Sequence, residues 1–416
     1  MRSTLLVILV ALLVVACGTS DSDIAPEAAA EAPAATATPA DDAEAGAESE
    51  ATAETTEPTA TPEPTAEPEP LELIGDGPYG VGSATVTIDA DTDRPLTLQL
   101  WFPVEAGLDA ESTRYTFITG DSFLSARAVD AGADQIAGDG PFPLVVYSHG
   151  SGGLRYIHSD YTETLASHGH VVVAPDHTGN TAVEQFLGTE DDTGLIAATR
   201  PADVIAVIDA MTDPADPEAG AFAAAVDAEH IAVTGHSFGG FTTYAVVSGY
   251  ETPAGAIAAD ERVDAIIPLA PAVGGREGPA LLTDDQLAAV GVPALVIVGT
   301  DDKTTPVEPN VERAWELTAS DPHYRLELVA AEHQSFTDVC DYQAAAEAGQ
   351  ELSAPVLAVI ENFAVAGCAE GDMPIDRVQE LTNTFALRFL ASVFDDEPMI
   401  DPAATADLTD VVYAVK

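Results

Sequence analysis

The chain has 416 residues, of which 14 are Lys or Arg and 70 are Asp or Glu, giving a formal charge of −56, and 46% are apolar. That balance excludes charge-driven binding to nucleic acid or anionic lipid surfaces, since both need a basic patch. It leaves enough apolar material for one large buried core, under an acidic surface that suits a saline medium and reads equally well as a generally solvated face.

At the N-terminus Arg2 precedes an apolar run from Leu5 to Val15 that closes on Ala16-Cys17. The run is too short to span a bilayer comfortably and reads as an export signal, residues 1–17. Its last four residues, Val14-Val15-Ala16-Cys17, resemble the lipobox of bacterial lipoproteins. The resemblance implies cleavage before Cys17, a diacylglycerol on its thiol, and attachment to the outer face of a bacterial-type cell membrane. An ordinary secretory signal with a chance cysteine is the alternative. Residues 18–70 carry fourteen acidic side chains and no basic one, and end in Thr-Pro-Glu-Pro-Thr-Ala-Glu-Pro-Glu-Pro. Such a segment cannot bury enough apolar surface to offset its ordering entropy. It is expected to be a disordered tether with a reach of at least about 40 Å.

Residues 71–416 are expected to form one α/β domain, because short β-branched runs alternate with helix-like stretches, the mark of a mostly parallel sheet covered by helices on both faces. Strands are predicted at Ala84–Ile88, Leu96–Phe102, Leu144–Ser148, Val171–Ala174, Ile231–Thr234, Ala265–Leu269, Ala294–Val298 and Arg325–Val329. Helices are predicted at Tyr161–Ser167, Ala202–Met211, Phe241–Ser248 and Asp376–Val393. The stretch Ala354–Ala366 is apolar at helical spacing and is expected to be packing rather than a binding surface.

The most specific local signal is Gly235-His236-Ser237-Phe238-Gly239-Gly240, directly after the run Ile231–Thr234 and opening into a helix-compatible segment. That is the strand-turn-helix setting of a nucleophile elbow, in which a tight turn exposes the serine hydroxyl. A serine hydroxyl is a poor nucleophile at neutral pH, so it needs a base, and the base needs an acid to orient it. In α/β-hydrolases these partners follow in the order Ser, acid, His. The strand at Ala294–Val298 runs into Gly299-Thr300-Asp301-Asp302-Lys303-Thr304-Thr305-Pro306, where the spacing favours Asp302 as the acid and leaves Asp301 as a loop-capping neighbour. Among nine histidines, His333 has both the chain order and the loop position of the base. The oxyanion donors are expected at the backbone N–H of Phe238 and, in the glycine-rich turn His149-Gly150-Ser151-Gly152-Gly153, of Ser151.

Apart from Cys17, two cysteines remain, Cys340 and Cys368. An isolated pair in an oxidising compartment suggests one disulfide, with two buried free thiols as the alternative.

Four segments together, Ser148–Gly153, Leu165–His177, Gly235–Gly240 and His333–Asp338, resemble the platelet-activating-factor acetylhydrolase-like branch of the α/β-hydrolases, whose bacterial members are often called predicted dienelactone hydrolases. Cutinase-type polyester hydrolases are similar at the core. The resemblance covers about residues 75–395 and implies Ser237 as nucleophile, His333 as base, and main-chain donors at Ser151 and Phe238. One departure bears on specificity. In the secreted animal acetylhydrolases the triad acid follows the strand after the nucleophile helix, where this chain has Ile267-Pro268-Leu269-Ala270-Pro271 and no carboxylate. True dienelactone hydrolases use a cysteine nucleophile, whereas the elbow here holds serine.

The sequence therefore leads to an expected serine carboxylic ester hydrolase with no metal or organic cofactor, acting on a small-molecule or polymeric ester. Short-acyl esters fit best, because no long apolar lid stands between Ala270 and Val292, although the excursions at Glu184–Thr199 and Cys340–Cys368 are placed to cover a pocket. A phospholipid acetyl ester, a short-chain carboxylester and a polyester stay open. So does a surface binding protein that has kept the fold without turnover.

Overall fold

The computed structural model describes residues 71–252, 255–274 and 280–416. The signal, Cys17 and the tether to residue 70 lie outside the described residues. Thirteen strands are present among them. In chain order they are β1 (Gly80–Ile88), β2 (Leu96–Val104), β3 (Ser112–Thr116), β4 (Ser122–Asp130), β5 (Phe142–Ser148), β6 (Val171–Asp176), β7 (Val226–His236), β8 (Tyr250–Thr252), β9 (Gly255–Ile257), β10 (Ala265–Leu269), β11 (Ala294–Gly299), β12 (His323–Leu328) and β13 (Val411–Val415). The helices are α1 (Ser159–Ser167), α2 (Ala182–Leu187), α3 (Thr193–Thr212), α4 (Gly220–Ala223), α5 (Phe238–Ser248), α6 (Asp284–Ala288), α7 (Val307–Leu317), α8 (Val339–Glu347), α9 (Ala354–Ala364) and α10 (Ile375–Phe394).

Eleven strands form one sheet in the order β13-β12-β11-β10-β7-β5-β6-β2-β1-β4-β3. From β12 to β6 every pairing is parallel, and antiparallel strands join at both flanks. The expected mostly parallel sheet with helices on both faces is what the chain adopts. The central strands are buried on both sides, which is why they read as unbroken β-branched runs. Alternate residues divide between two cores: Leu144, Val146, Val171, Val173, Ile231 and Val233 pack with α3 and α5 on one face, while Val145, Tyr147, Val172, Ala174 and Ala232 pack with α1 and α10 on the other. That division is the period of two expected of a pleated strand.

Several elements differ from the sequence reading. The hairpin of β3 and β4, the short pair β8 and β9, and the edge strand β13 were not among the predicted strands. Helix α3 begins at Thr193 rather than Ala202 and runs through Pro201, where the proline lacks the N–H that would bond back along the helix. No helix among the described residues is long and apolar enough to cross a membrane.

Candidate active site

The carboxyl ends of β5, β7, β11 and β12 lie along one edge of the sheet, and each delivers one part of the site. β7 ends in His236 and turns through Ser237 into α5. Ser237 takes φ 57° and ψ −114°, a region that costs a non-glycine residue energy. The turn is held from both sides: Ser237 donates its N–H to Leu269 O at 2.9 Å, and its carbonyl accepts from the amides of Ala272 at 3.0 Å and Phe241 at 3.1 Å. The glycines around it are required by contact with the end of β5. A Cβ on Gly235 would lie 2.6 Å from Ser148 O, and one on Gly239 would lie 1.8 Å from the same atom.

The structure brings Ser237, His333 and Asp302 together. His333 Nε2 is 2.9 Å from Ser237 Oγ, and His333 Nδ1 is 2.7 Å from Asp302 Oδ2. Asp302 is 4% exposed, and its other oxygen accepts the amides of Thr304 at 2.8 Å and Thr305 at 2.7 Å. Thr305 Oγ1 adds a bond to Asp302 Oδ2 at 2.8 Å. Burial disfavours the Asp302 carboxylate. The hydrogen bond and charge of His333, with the amide and hydroxyl of Thr305, outweigh that and hold its pKa below the usual carboxylate value. Asp301 is exposed and bonds its neighbour Thr300, so it takes no part in this chain of contacts.

The turn after β5 packs on the serine. The Cβ position of residue 150 lies 3.4 Å from Ser237 Cβ, and Ser151 lines the same cleft as Ser237 and His333. Phe238 is the first residue of α5, so its N–H is among the amides that have no intrahelical acceptor. These are the two positions the sequence reading assigned as oxyanion donors.

The cleft over Ser237 has a volume of about 310 Å³. Its walls come from three excursions: Phe117, Ile118 and Thr119 between β3 and β4, Phe186 of α2, and a face of α8 and α9 that includes Val339, Tyr342, Val356, Ile360 and Phe363. Helix α9, expected to be packing, therefore presents apolar side chains to the cleft. Helical periodicity marks an apolar face without saying what covers it. Cys340 and Cys368 are disulfide-bonded and close the segment that carries α8 and α9.

Sequence reasoning missed several supporting residues. His236 Nε2 donates to His333 O at 2.9 Å, its rings packing at a centroid distance of 4.6 Å. Burial, then the neighbouring His333, push its pKa well below the ordinary histidine value. Beneath the β5 turn, Ser148 Oγ lies 2.9 Å from His177 Nε2, and His177 Nδ1 lies 2.9 Å from Asp203 Oδ2, which Arg94 clamps with two further bonds. This second Ser-His-Asp series is sealed in the core, with Ser148 and His177 0% exposed, and it lies outside the cleft lining. No local motif marks it, because its members lie on three separate elements.

Comparison with known proteins agrees with this architecture. The profile of the family described as platelet-activating factor acetylhydrolase, isoform II, matches residues 120–195, a stretch that holds β5 and the His149–Gly153 turn but none of Ser237, Asp302 and His333. A platelet-activating factor acetylhydrolase of Cavia porcellus is 26% identical over 134 residues, covering 27% of this chain and 30% of that protein. A putative phospholipase A2 of Schizosaccharomyces pombe is 30% identical over 95 residues, covering 21% of this chain and 22% of that protein. The chain has the α/β-hydrolase fold, and its stretch 120–195 resembles the platelet-activating-factor acetylhydrolase family. The chain thus spans less than a third of the length of either curated relative. A solved ferulic acid esterase from Streptomyces cinnamoneus superposes with a TM-score of 0.60 at 22% identity, over 84% of this chain and 99% of that chain. At that identity the likeness is one of fold.

Proposed function

We propose that the chain is a serine carboxylic ester hydrolase working through an acyl-enzyme. The observation that carries the reading is Ser237 Oγ at 2.9 Å from His333 Nε2, with His333 Nδ1 at 2.7 Å from the buried Asp302, in a cleft with apolar walls. His333 takes the serine proton as Oγ attacks the ester carbonyl, while Asp302 fixes the imidazole tautomer and stabilises its positive form. The amides of Ser151 and Phe238 receive the oxyanion. The alcohol leaves with the proton from His333, and water, activated by the same imidazole, releases the acid.

A cleft of about 310 Å³ stands at the small end of ligand sites, which run from about 300 to 1,000 Å³. This supports a short-acyl ester as substrate. A polyester chain is the second reading, favoured by apolar side chains on the open rim: Ile118 is 53% exposed, Phe186 54% and Val359 46%. The proposal includes export and a lipid anchor at Cys17, and the Cys340–Cys368 disulfide suits an oxidising compartment.

The test is hydrolysis of p-nitrophenyl acetate, butyrate and laurate by the purified protein beside Ser237→Ala. Turnover of the two short esters, with the variant lower by roughly 10⁴-fold or more, is the expected result. A wild type no faster than Ser237→Ala across pH and salt would sink the proposal. Release of soluble acid from a polyester film faster than from the short esters would favour the second reading.

A further inference from the structure

Arg200 is 0% exposed, yet among the described residues no carboxylate forms an ion pair with its guanidinium. The nearby Asp203 is taken up by Arg94 and His177. A buried cation without a direct counter-charge is costly, so its surroundings must compensate. Here they are carbonyl oxygens. Nη1 donates to His149 O at 2.5 Å, and Nη2 donates to Gly150 O at 3.0 Å and to Asn180 Oδ1 at 2.6 Å. Burial pulls the guanidinium down to about 9, which leaves it charged at neutral pH.

The geometry of those bonds reaches the cleft through one peptide plane. Gly150 O is held by three donors: Arg200 Nη2 at 3.0 Å, the Gly153 amide at 3.1 Å, and His149 Nδ1 at 2.7 Å. His149 can donate there because its Nε2 accepts the His177 amide at 3.3 Å. In a trans peptide the C=O and the following N–H point in opposite directions. Fixing the Gly150 carbonyl toward Arg200 therefore turns the Ser151 N–H away from it. On the other side the guanidinium lies 5.2 Å from the ring centroid of Phe238, the residue carrying the second amide. Asn180 completes the frame by donating to Ser151 Oγ at 3.0 Å.

We propose that Arg200 is a positioning residue for the oxyanion hole: it pins the carbonyl behind the Ser151 amide, packs on Phe238, and places a positive charge behind the point where the oxyanion develops. The inference rests on the ester hydrolase reading for its kinetic consequence and on the Gly150–Ser151 peptide alone for its structural one.

Both are measured in Arg200→Gln, Arg200→Lys and Asn180→Ala. With p-nitrophenyl acetate, Arg200→Gln should lower kcat on the order of 10²-fold with KM changed by less than about threefold. Arg200→Lys should fall between it and wild type, because one ammonium keeps the charge but cannot bridge both carbonyls. Asn180→Ala disturbs the frame without removing the cation and should lose less, so it reads the effect even if Arg200→Gln fails to fold. The acid limb of the pH–rate profile should not move, since His333 and Asp302 keep their contacts. In parallel, the ¹H–¹⁵N resonance of the Ser151 amide should shift in all three variants. Folded variants with wild-type kcat, or an unmoved Ser151 resonance, would overturn the proposal. A wild type that hydrolyses no ester removes the functional reading, and the Ser151 resonance then decides the role of Arg200 by itself.

Discussion

Two adjacent carboxylates follow β11, and their hydrogen bonds separate them. Asp302 receives four, from His333, both amides of Thr304 and Thr305, and the Thr305 hydroxyl, whereas Asp301 faces solvent. An amide at 302 would keep the volume while losing the charge and favouring the wrong imidazole tautomer. Asp302→Asn should therefore lower kcat by roughly 10³- to 10⁴-fold with the fold intact, while Asp301→Asn stays within about twofold of wild type. Equal losses in the two variants, measured on p-nitrophenyl acetate, would refute the distinction. At this scale Ser237 and His333 were legible because a tight turn and chain order leave a local imprint. Arg200, His236 and Thr305 were not, because each acts across the fold on atoms that sequence neighbours do not reveal: Arg200 meets His149 and Gly150 from another helix, and Thr305 Oγ1 reaches Ala270 O at 2.9 Å.

Among the elements, the central strands were read closely because burial on both faces leaves only apolar residues for them. The β3–β4 hairpin escaped notice since it has solvent on one side: β3 is Ser-Thr-Arg-Tyr-Thr, with only Thr113 and Tyr115 buried. The turn of that hairpin, α2, α8 and α9 together wall the cleft. The disulfide ties the start of α8 to Cys368, four residues beyond α9 and 28 positions on, and Ala366 O just before it accepts the Gln334 amide beside His333 at 2.6 Å. The clip thus fastens the wall to the turn that holds the base. In the chain-entropy model, closing such a loop stabilises the protein by about 3 to 4 kcal/mol. Cys340→Ser with Cys368→Ser should lower the Tm accordingly and flatten the preference among acetate, butyrate and laurate. An unchanged chain-length profile in the folded double variant would mean the wall keeps its shape without the clip.

For the whole molecule, proton linkage sets an expected pH dependence. Burial lowers His158, His170 and His177 each from 6.5 to about 4; for His177 the Arg200 charge adds to burial, and the bond to Asp203 resists it. A histidine held neutral in the fold stabilises it fully above pH 6.5, and that stability is lost as pH falls toward 4, because the unfolded chain takes the proton first. Glu163 runs the other way. Burial raises it from 4.5 to about 7 against hydrogen bonds from Tyr115 and Ser125, so its contribution is present below pH 4.5 and lost as pH rises through 7. His149, His236 and His323 are lowered by burial too, and Asp176, Asp338 and Asp341 are raised by it, so six histidines stand against four carboxyls and stability falls on acidification between pH 6.5 and 4.5. The formal charge of −56 does not reverse this, since ordinary carboxylates take up protons mainly near pH 4. Thermal unfolding followed from pH 7 to pH 5 should therefore show a falling Tm, and Glu163→Gln, which removes one opposing contribution, should make the fall steeper. A Tm that holds level or rises over that interval would show that these imidazoles are protonated in the folded protein, or that the acidic surface dominates its stability.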